Sequence, residues 1–155
     1  CNVKALYRID KFWVAGLKFN LSGTSANYTI DDKTNVADNV ELWYLGPQLG
    51  FKIPITKRTL ISCVLGAGYL HYRDEGRSNS EFKCTSGALA GNMDFLVEYK
   101  LTDHLAVNGG FSVLSGDFKK IEMTADEKKE TLRPNKLDRL YMRRLDFQLG
   151  LVFCY

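Results

Sequence analysis

Strict alternation of apolar and polar residues, repeated segment after segment, is the feature that most restricts how this chain can fold. In WVAGLKFNLS, Trp13, Ala15, Leu17, Phe19 and Leu21 share one parity, and Gly16, Lys18, Asn20 and Ser22 share the other. A two-residue period marks a strand with two unlike faces. The pattern returns in NVKALYRI through Val3, Ala5, Tyr7 and Ile9, and in NVELWYLGPQLGFKIPI through Trp43, Leu45, Leu49, Phe51 and Ile53. It runs on through Ile61, Cys63, Leu65, Ala67 and Tyr69, then Leu89, Met93, Phe95, Val97, Tyr99 and Leu101, then Leu105, Val107, Phe111 and Val113. The closing RRLDFQLGLVFCY carries it on Leu145, Phe147, Leu149, Leu151, Phe153 and Tyr155. Seven strand segments result, and no helical period competes with them. Pro47 on the apolar parity is awkward for a strand interior, and Leu96 is an apolar exception on a polar parity.

The links between segments are ordered. Short ones at DK, TKRT and TDH alternate with long polar ones at 22–39, 73–87 and 116–142, the spacing of an up-and-down meander. The last long link is rich in charge, carries Pro134 and reads as a mobile loop with strand extensions at both ends, in which TADEKKETL is able to form a turn of helix. At 155 residues one domain, 1–155, accounts for the whole chain.

Charge and composition exclude several classes. The net charge of +3, from 21 basic and 18 acidic residues in dispersed positions, leaves no footprint of a nucleic-acid binder. No run approaches the roughly 18 to 20 apolar residues of a membrane helix, although a membrane β-barrel hides its lipid contact in alternation. The four cysteines, Cys1, Cys63, Cys84 and Cys154, show no metal-ligand spacing. Cys84 and Cys154 sit at opposite ends of the strands, out of disulfide reach; Cys1 and Cys84 are both placed toward the outside, able to approach, and free thiols are the default reading.

Alternation alone does not say which face meets water. The polar parity holds Lys4, Arg8, Lys18, Lys52, Asp94, Glu98, Lys100, Arg144 and Asp146 together with several glycines, which suits a narrow interior filled by mutually paired charges. The expected interior polar residues are Lys18, Lys52, Asp94, Glu98, Arg144 and Asp146. With the short links set on one side, Tyr7, Trp13, Tyr99 and Tyr155 gather near that side and Trp43 and Tyr69 near the other. Two such rows read as membrane-interface aromatic girdles. Between them lie roughly nine mostly aliphatic positions per strand, about what a tilted strand needs to cross hydrocarbon.

On these segments the chain resembles the small bacterial outer-membrane barrels of the OmpA/OmpX-like kind, including YRIDKFWVAGLKF as a hairpin of aromatic strand, short turn and glycine-bearing strand. The resemblance implies an all-β, up-and-down antiparallel transmembrane β-barrel of about eight strands when complete, in the outer membrane of a Gram-negative cell envelope. It implies outer-membrane lipid and the barrel-insertion machinery as partners, with Leu149, Leu151, Phe153 and Tyr155 matching the C-terminal insertion signal. Such barrels have an even strand count and seven segments are found, so a first strand upstream of Cys1 is expected.

Catalysis finds little support. His104 lies in the TDH turn, and His71 sits near Asp74, Glu75 and Ser78 at the outer rim, where an interfacial role outweighs acid or base work. GAG at 66–68 precedes no helix and is no phosphate loop. No catalytic residue, cofactor or metal is expected. The expected role is structural or surface-interacting, in envelope integrity or in adhesion through an extracellular ligand held by loops 22–39, 73–87 and 116–142. Two alternatives carry distinct expectations. A soluble lipocalin-like barrel predicts an apolar ligand cavity lined by Leu17, Phe19, Phe95, Phe111 and Phe147, and a lipid-modifying enzyme depends on His71.

Overall fold

The structure, a computed structural model, describes residues 1–30, 34–77, 81–118, 120–125, 128–132 and 140–153. The strands are β1 (Asn2–Arg8), β2 (Trp13–Ile30), β3 (Thr34–Pro54), β4 (Thr59–Arg77), β5 (Glu81–Lys100), β6 (Leu105–Phe118), β7 (Ile121–Ala125), β8 (Lys128–Leu132) and β9 (Leu140–Phe153). Seven of them form one antiparallel meander in the order β1-β2-β3-β4-β5-β6-β9. β7 and β8 are a hairpin inserted in the last link, with β7 docked on the upper end of β5, from Phe82↔Ala125 to Ser86↔Ile121.

The short links close alike. An amide meets the carbonyl four residues on, Ile9 to Trp13, Ile55 to Thr59 and Leu101 to Leu105, each at 2.9 Å. In the second and third, the hydroxyls of Thr56 and Thr102 also accept the amides of Thr59 and Leu105 at 2.9 and 3.0 Å. A threonine at that position gives the turn an acceptor where the backbone has none to spare.

Two expectations are corrected. The long links at 22–39 and 73–87 are largely strand: β2 and β3 stay paired up to Ile30↔Thr34, and β4 and β5 up to Arg77↔Glu81, while in 116–142 the expected strand extensions at both ends are present, to Phe118 and from Leu140. There the apolar parity of the lower strands does not continue in the sequence, yet the ladder continues since each backbone group still needs its partner. TADEKKETL contributes the end of β7, Thr124 and Ala125, and all of β8, Lys128–Leu132, with no helix among its described residues, because the docked edge of β5 satisfies β7. Pro47 is held inside β3. It pairs with Leu17 of β2, while the β3–β4 ladder skips from Leu45↔Tyr69 to Gln48↔Gly66, so the missing amide falls in a local gap without a change of register.

The sheet rolls so that its inner face meets itself. Leu42, Tyr44, Leu70, Ala88, Ala90, Leu114 and Phe118 pack together inside the upper part, with Tyr72 and Met142 against them. Val14, Leu60, Val64, Leu96 and Ala106 are buried lower down. Leu96, the exception in the alternation, is thus an inner-face packing residue. The roll is not closed by backbone: β1 and β9 end the strand order and share no ladder among the described residues.

Candidate functional site, a polar interior inside an apolar band

The inward side chains of β1, β2, β3, β5 and β6 converge on Asp94. Lys18 Nζ donates to Asp94 Oδ1 at 2.6 Å and to Ser112 Oγ at 2.8 Å. Lys4 Nζ lies 2.9 Å from Asp94 Oδ2, and Gln48 Nε2 donates to the same oxygen at 2.9 Å. Beside this group the Tyr44 hydroxyl donates to Asn92 Oδ1 at 3.0 Å. Charges this deeply buried persist only when paired and further hydrogen-bonded, and here each carboxylate oxygen has a donor.

The other expected interior residues also lie in pairs. Lys52 Nζ donates to Glu98 Oε2 at 2.8 Å near the lower end. Arg144 Nε donates to Asp146 Oδ2 at 2.9 Å, and its terminal nitrogens reach Ser22 Oγ at 2.8 Å and Asn20 Oδ1 at 2.5 Å across the roll. Arg8, expected among the inner charges, is exposed at the lower rim because β1 ends there. Lys4, Tyr44, Gln48, Asn92 and Ser112 were legible as inward by parity, but their gathering around Asp94 was not, since it depends on how five strands stagger.

Glycine makes the belt narrow enough to bridge. A Cβ built on Gly66 would stand 2.3 Å from Asn92 Oδ1 and 2.8 Å from the Pro47 carbonyl, so the Asn92 amide occupies the place of a side chain. On the outer face Gly87 does the same for Tyr69, whose hydroxyl would lie 2.0 Å from an added Cβ.

Outside, the parity reverses. Leu17 is 56 % exposed while its neighbour Lys18 is 2 % exposed. Leu45, Leu49, Leu65, Leu89, Met93, Val97 and Leu145 are likewise outward. Phe95 and Phe111 stack on the outer side with centroids 5.4 Å apart, and Phe147 is fully outward on β9. Leu17, Phe19, Phe95, Phe111 and Phe147, expected to line an apolar cavity in the soluble alternative, lie on the outward parity, where an open groove runs between Phe111, Phe147 and Leu149.

Aromatic rows bound this band. Tyr7, Trp13 and Tyr99 are exposed at the lower end. Trp43 and Tyr69 lie 5.5 Å apart at the upper end, with His71 5.3 Å from Trp43. Eight residue steps separate Trp13 from Leu21, the partner of Trp43. At about 3.4 Å a step and a tilt of about 40°, the rows stand about 21 Å apart, near the height of about 25 Å found for lipid-facing bands. In the closing strand, Leu149, Leu151 and Phe153 all point outward, while Tyr155 lies outside the described residues.

Above the upper row the outer face becomes charged. Glu75 accepts from Arg73 at 2.6 Å and pairs with Lys83 at 3.1 Å, and these cations hold its carboxyl below the usual range. On the inward parity, burial of Tyr72 and then its hydrogen bond to Asp74 at 2.9 Å push that phenol up to about 12. Neither carboxylate is spent on His71, which instead stacks in the aromatic row; Ser78 lies outside the described residues. Cys1, Cys63 and Cys84 are free thiols. Among the described residues no three His, Cys, Asp or Glu side chains gather as a metal site. No family model matches the chain, and no curated protein matches it.

Proposed function

We propose that this chain is an integral outer-membrane protein of the Gram-negative envelope, of the OmpA/OmpX-like small-barrel kind, with a structural or surface-interacting role and no catalytic one. One observation carries the reading: an apolar outer band, bounded by aromatic rows at both ends, surrounds a belt of paired charges. Water-soluble sheets place their apolar parity inward, and a band of outward leucine and phenylalanine this extensive needs acyl chains to cover it.

The interior pairs act as a rigid filling. Asp94 is bonded to Lys4, Lys18 and Gln48 across the roll, and the Tyr44–Leu70–Phe118 cluster packs above it, which favours a filled interior over an open pore. The wall is therefore held at fixed width, and the polar strand extensions of β2 to β5 with the β7–β8 hairpin stand clear of the lipid as the surface available to an extracellular partner. Outer-membrane lipid and the insertion machinery are the partners this reading requires.

The test is extraction. After expression with export to the envelope, the chain should fractionate with outer membranes, dissolve only in detergent and run at different gel mobilities before and after boiling. A monodisperse aqueous monomer without detergent would overturn the proposal.

A further inference from the structure

The open seam between β1 and β9 has a defined polarity. Six successive antiparallel pairings separate the two strands, so they run in the same direction. Direct closure would require a parallel ladder, whereas one strand running the other way pairs antiparallel with both edges at the usual spacing of about 4.8 Å.

The seam also has unmet chemistry. Asn2 Nδ2 and Lys4 Nζ both donate to Gln148 Oε1, at 2.7 and 3.1 Å. Two donors on one oxygen fix the orientation of the amide, and Gln148 Nε2, buried, is left without an acceptor. Lys4 and Lys18 meanwhile share the single carboxylate of Asp94. An acceptor carrying negative charge is what this corner lacks. On the outer face, Phe147 is 85 % and Leu149 92 % exposed, against 37 % for Phe111, the cross-strand partner of Phe147. Phe111 has strands on both sides, whereas Phe147 and Leu149 have one flank bare.

We infer that the β1–β9 seam receives one amphipathic peptide strand, antiparallel to both edges, with apolar residues facing outward and a carboxylate facing inward level with Gln148. The carboxylate accepts from Gln148 Nε2 and gives Lys4 a counter-charge of its own. The outward residues cover the bare flanks of Phe147 and Leu149 on one side and of Val3 and Tyr7 on the other. This inference rests on the open edges and not on membrane placement, so the two stand or fall separately.

The probe is a synthetic eleven-residue peptide of alternating Leu or Val and Thr with a central inward Asp, titrated onto the whole chain folded in zwitterionic micelles, or in buffer if the chain proves soluble. Anisotropy of the labelled peptide should show binding about tenfold tighter or more than for a composition-matched scramble and for the Asp→Lys peptide. Within Leu145–Leu151, the alternate amides that face the seam rather than β6 should gain at least about tenfold protection from hydrogen exchange. A nitroxide at the peptide N-terminus should broaden Arg8 and Val152, at the lower end, and spare Leu140. Lys4→Met and Gln148→Met, each first checked for an unchanged β-sheet circular dichroism spectrum, should each erase the preference for Asp over Lys. Equal binding of the scramble, broadening at Leu140, or a seam already filled by a second copy in cross-linked dimers would overturn the inference.

Discussion

Lys18 and Asp94, 76 residues apart in sequence, meet at 2.6 Å in the centre of the rolled sheet. The contact joins β2 to β5 across the interior, and Lys4 joins β1 to the same carboxylate at 2.9 Å. Removing Asp94 strands two buried ammonium groups at once. Asp94→Asn is expected to destabilise the fold by about 3–5 kcal/mol, the usual cost of leaving one half of a buried ion pair. The urea midpoint of the heat-modifiable form measures it, and an unchanged midpoint would show that the pair contributes nothing.

Gly66 and Gly91 give a matched comparison of space. Gly66→Ala drives a methyl into the Asn92 amide and the Pro47 carbonyl and should cost about 1–3 kcal/mol, the range for overpacking. Gly91→Ala meets nothing nearer than 3.9 Å and should be neutral or stabilising by about 0.4–1 kcal/mol through the unfolded chain. Equal effects in the same unfolding assay would contradict the packing described for the belt.

The two tryptophans of the chain report the heights of the two rows. In Trp43→Phe and Trp13→Phe variants reconstituted into bilayers, the remaining indole should be quenched more by bromines near the headgroups than by bromines deep in the acyl chains. Stronger deep quenching for either would misplace its row.

At the outer end, Asp38 and Glu75 are expected to titrate in opposite directions. A hydrogen bond with Asp74 raises Asp38 above its usual 3.8, while Arg73 and Lys83 lower Glu75 below its usual 4.5. The folded chain holds the Asp38 proton more tightly than the unfolded one, so that contribution is full in acid and lost as pH rises through the raised value. Glu75 contributes above about pH 4.5 and loses its contribution as pH falls through the lowered value. Carboxyl-carbon NMR titration should show both displacements, and Asp74→Asn should return Asp38 toward 3.8.

Much of the fold was legible because alternation assigns faces strand by strand. Lys18, Lys52, Asp94, Glu98, Arg144 and Asp146 all fall inward by that rule, and the three short turns follow from their Thr and Asp residues. The strand extensions were not legible. In SGTSANYTI and TNVADNV the apolar residues Ala26, Tyr28, Ile30, Val36 and Val40 are few and fall on the even parity, opposite to the odd one that carries Leu17 and Phe19, so the pattern of the lower strand does not run on although the ladder persists from Gly23↔Glu41 to Ile30↔Thr34. The upper interior cluster was missed for a related reason. Leu42, Tyr44, Leu70, Leu114 and Phe118 share the parity that carries charge lower down, and only the rolled structure shows that the interior changes from ionic to apolar along its height.

The most direct test of the outward apolar band uses nitroxide labels on the chain in lipid bilayers, at Leu17, Leu65 and Leu145 outside and at Ser62 and Ser112 inside. The account predicts that the outer labels are highly accessible to oxygen and shielded from a water-soluble nickel chelate, with the inner labels immobilised and shielded from both. Outer labels that collide freely with the nickel chelate along the whole height between Trp13 and Trp43 would contradict it.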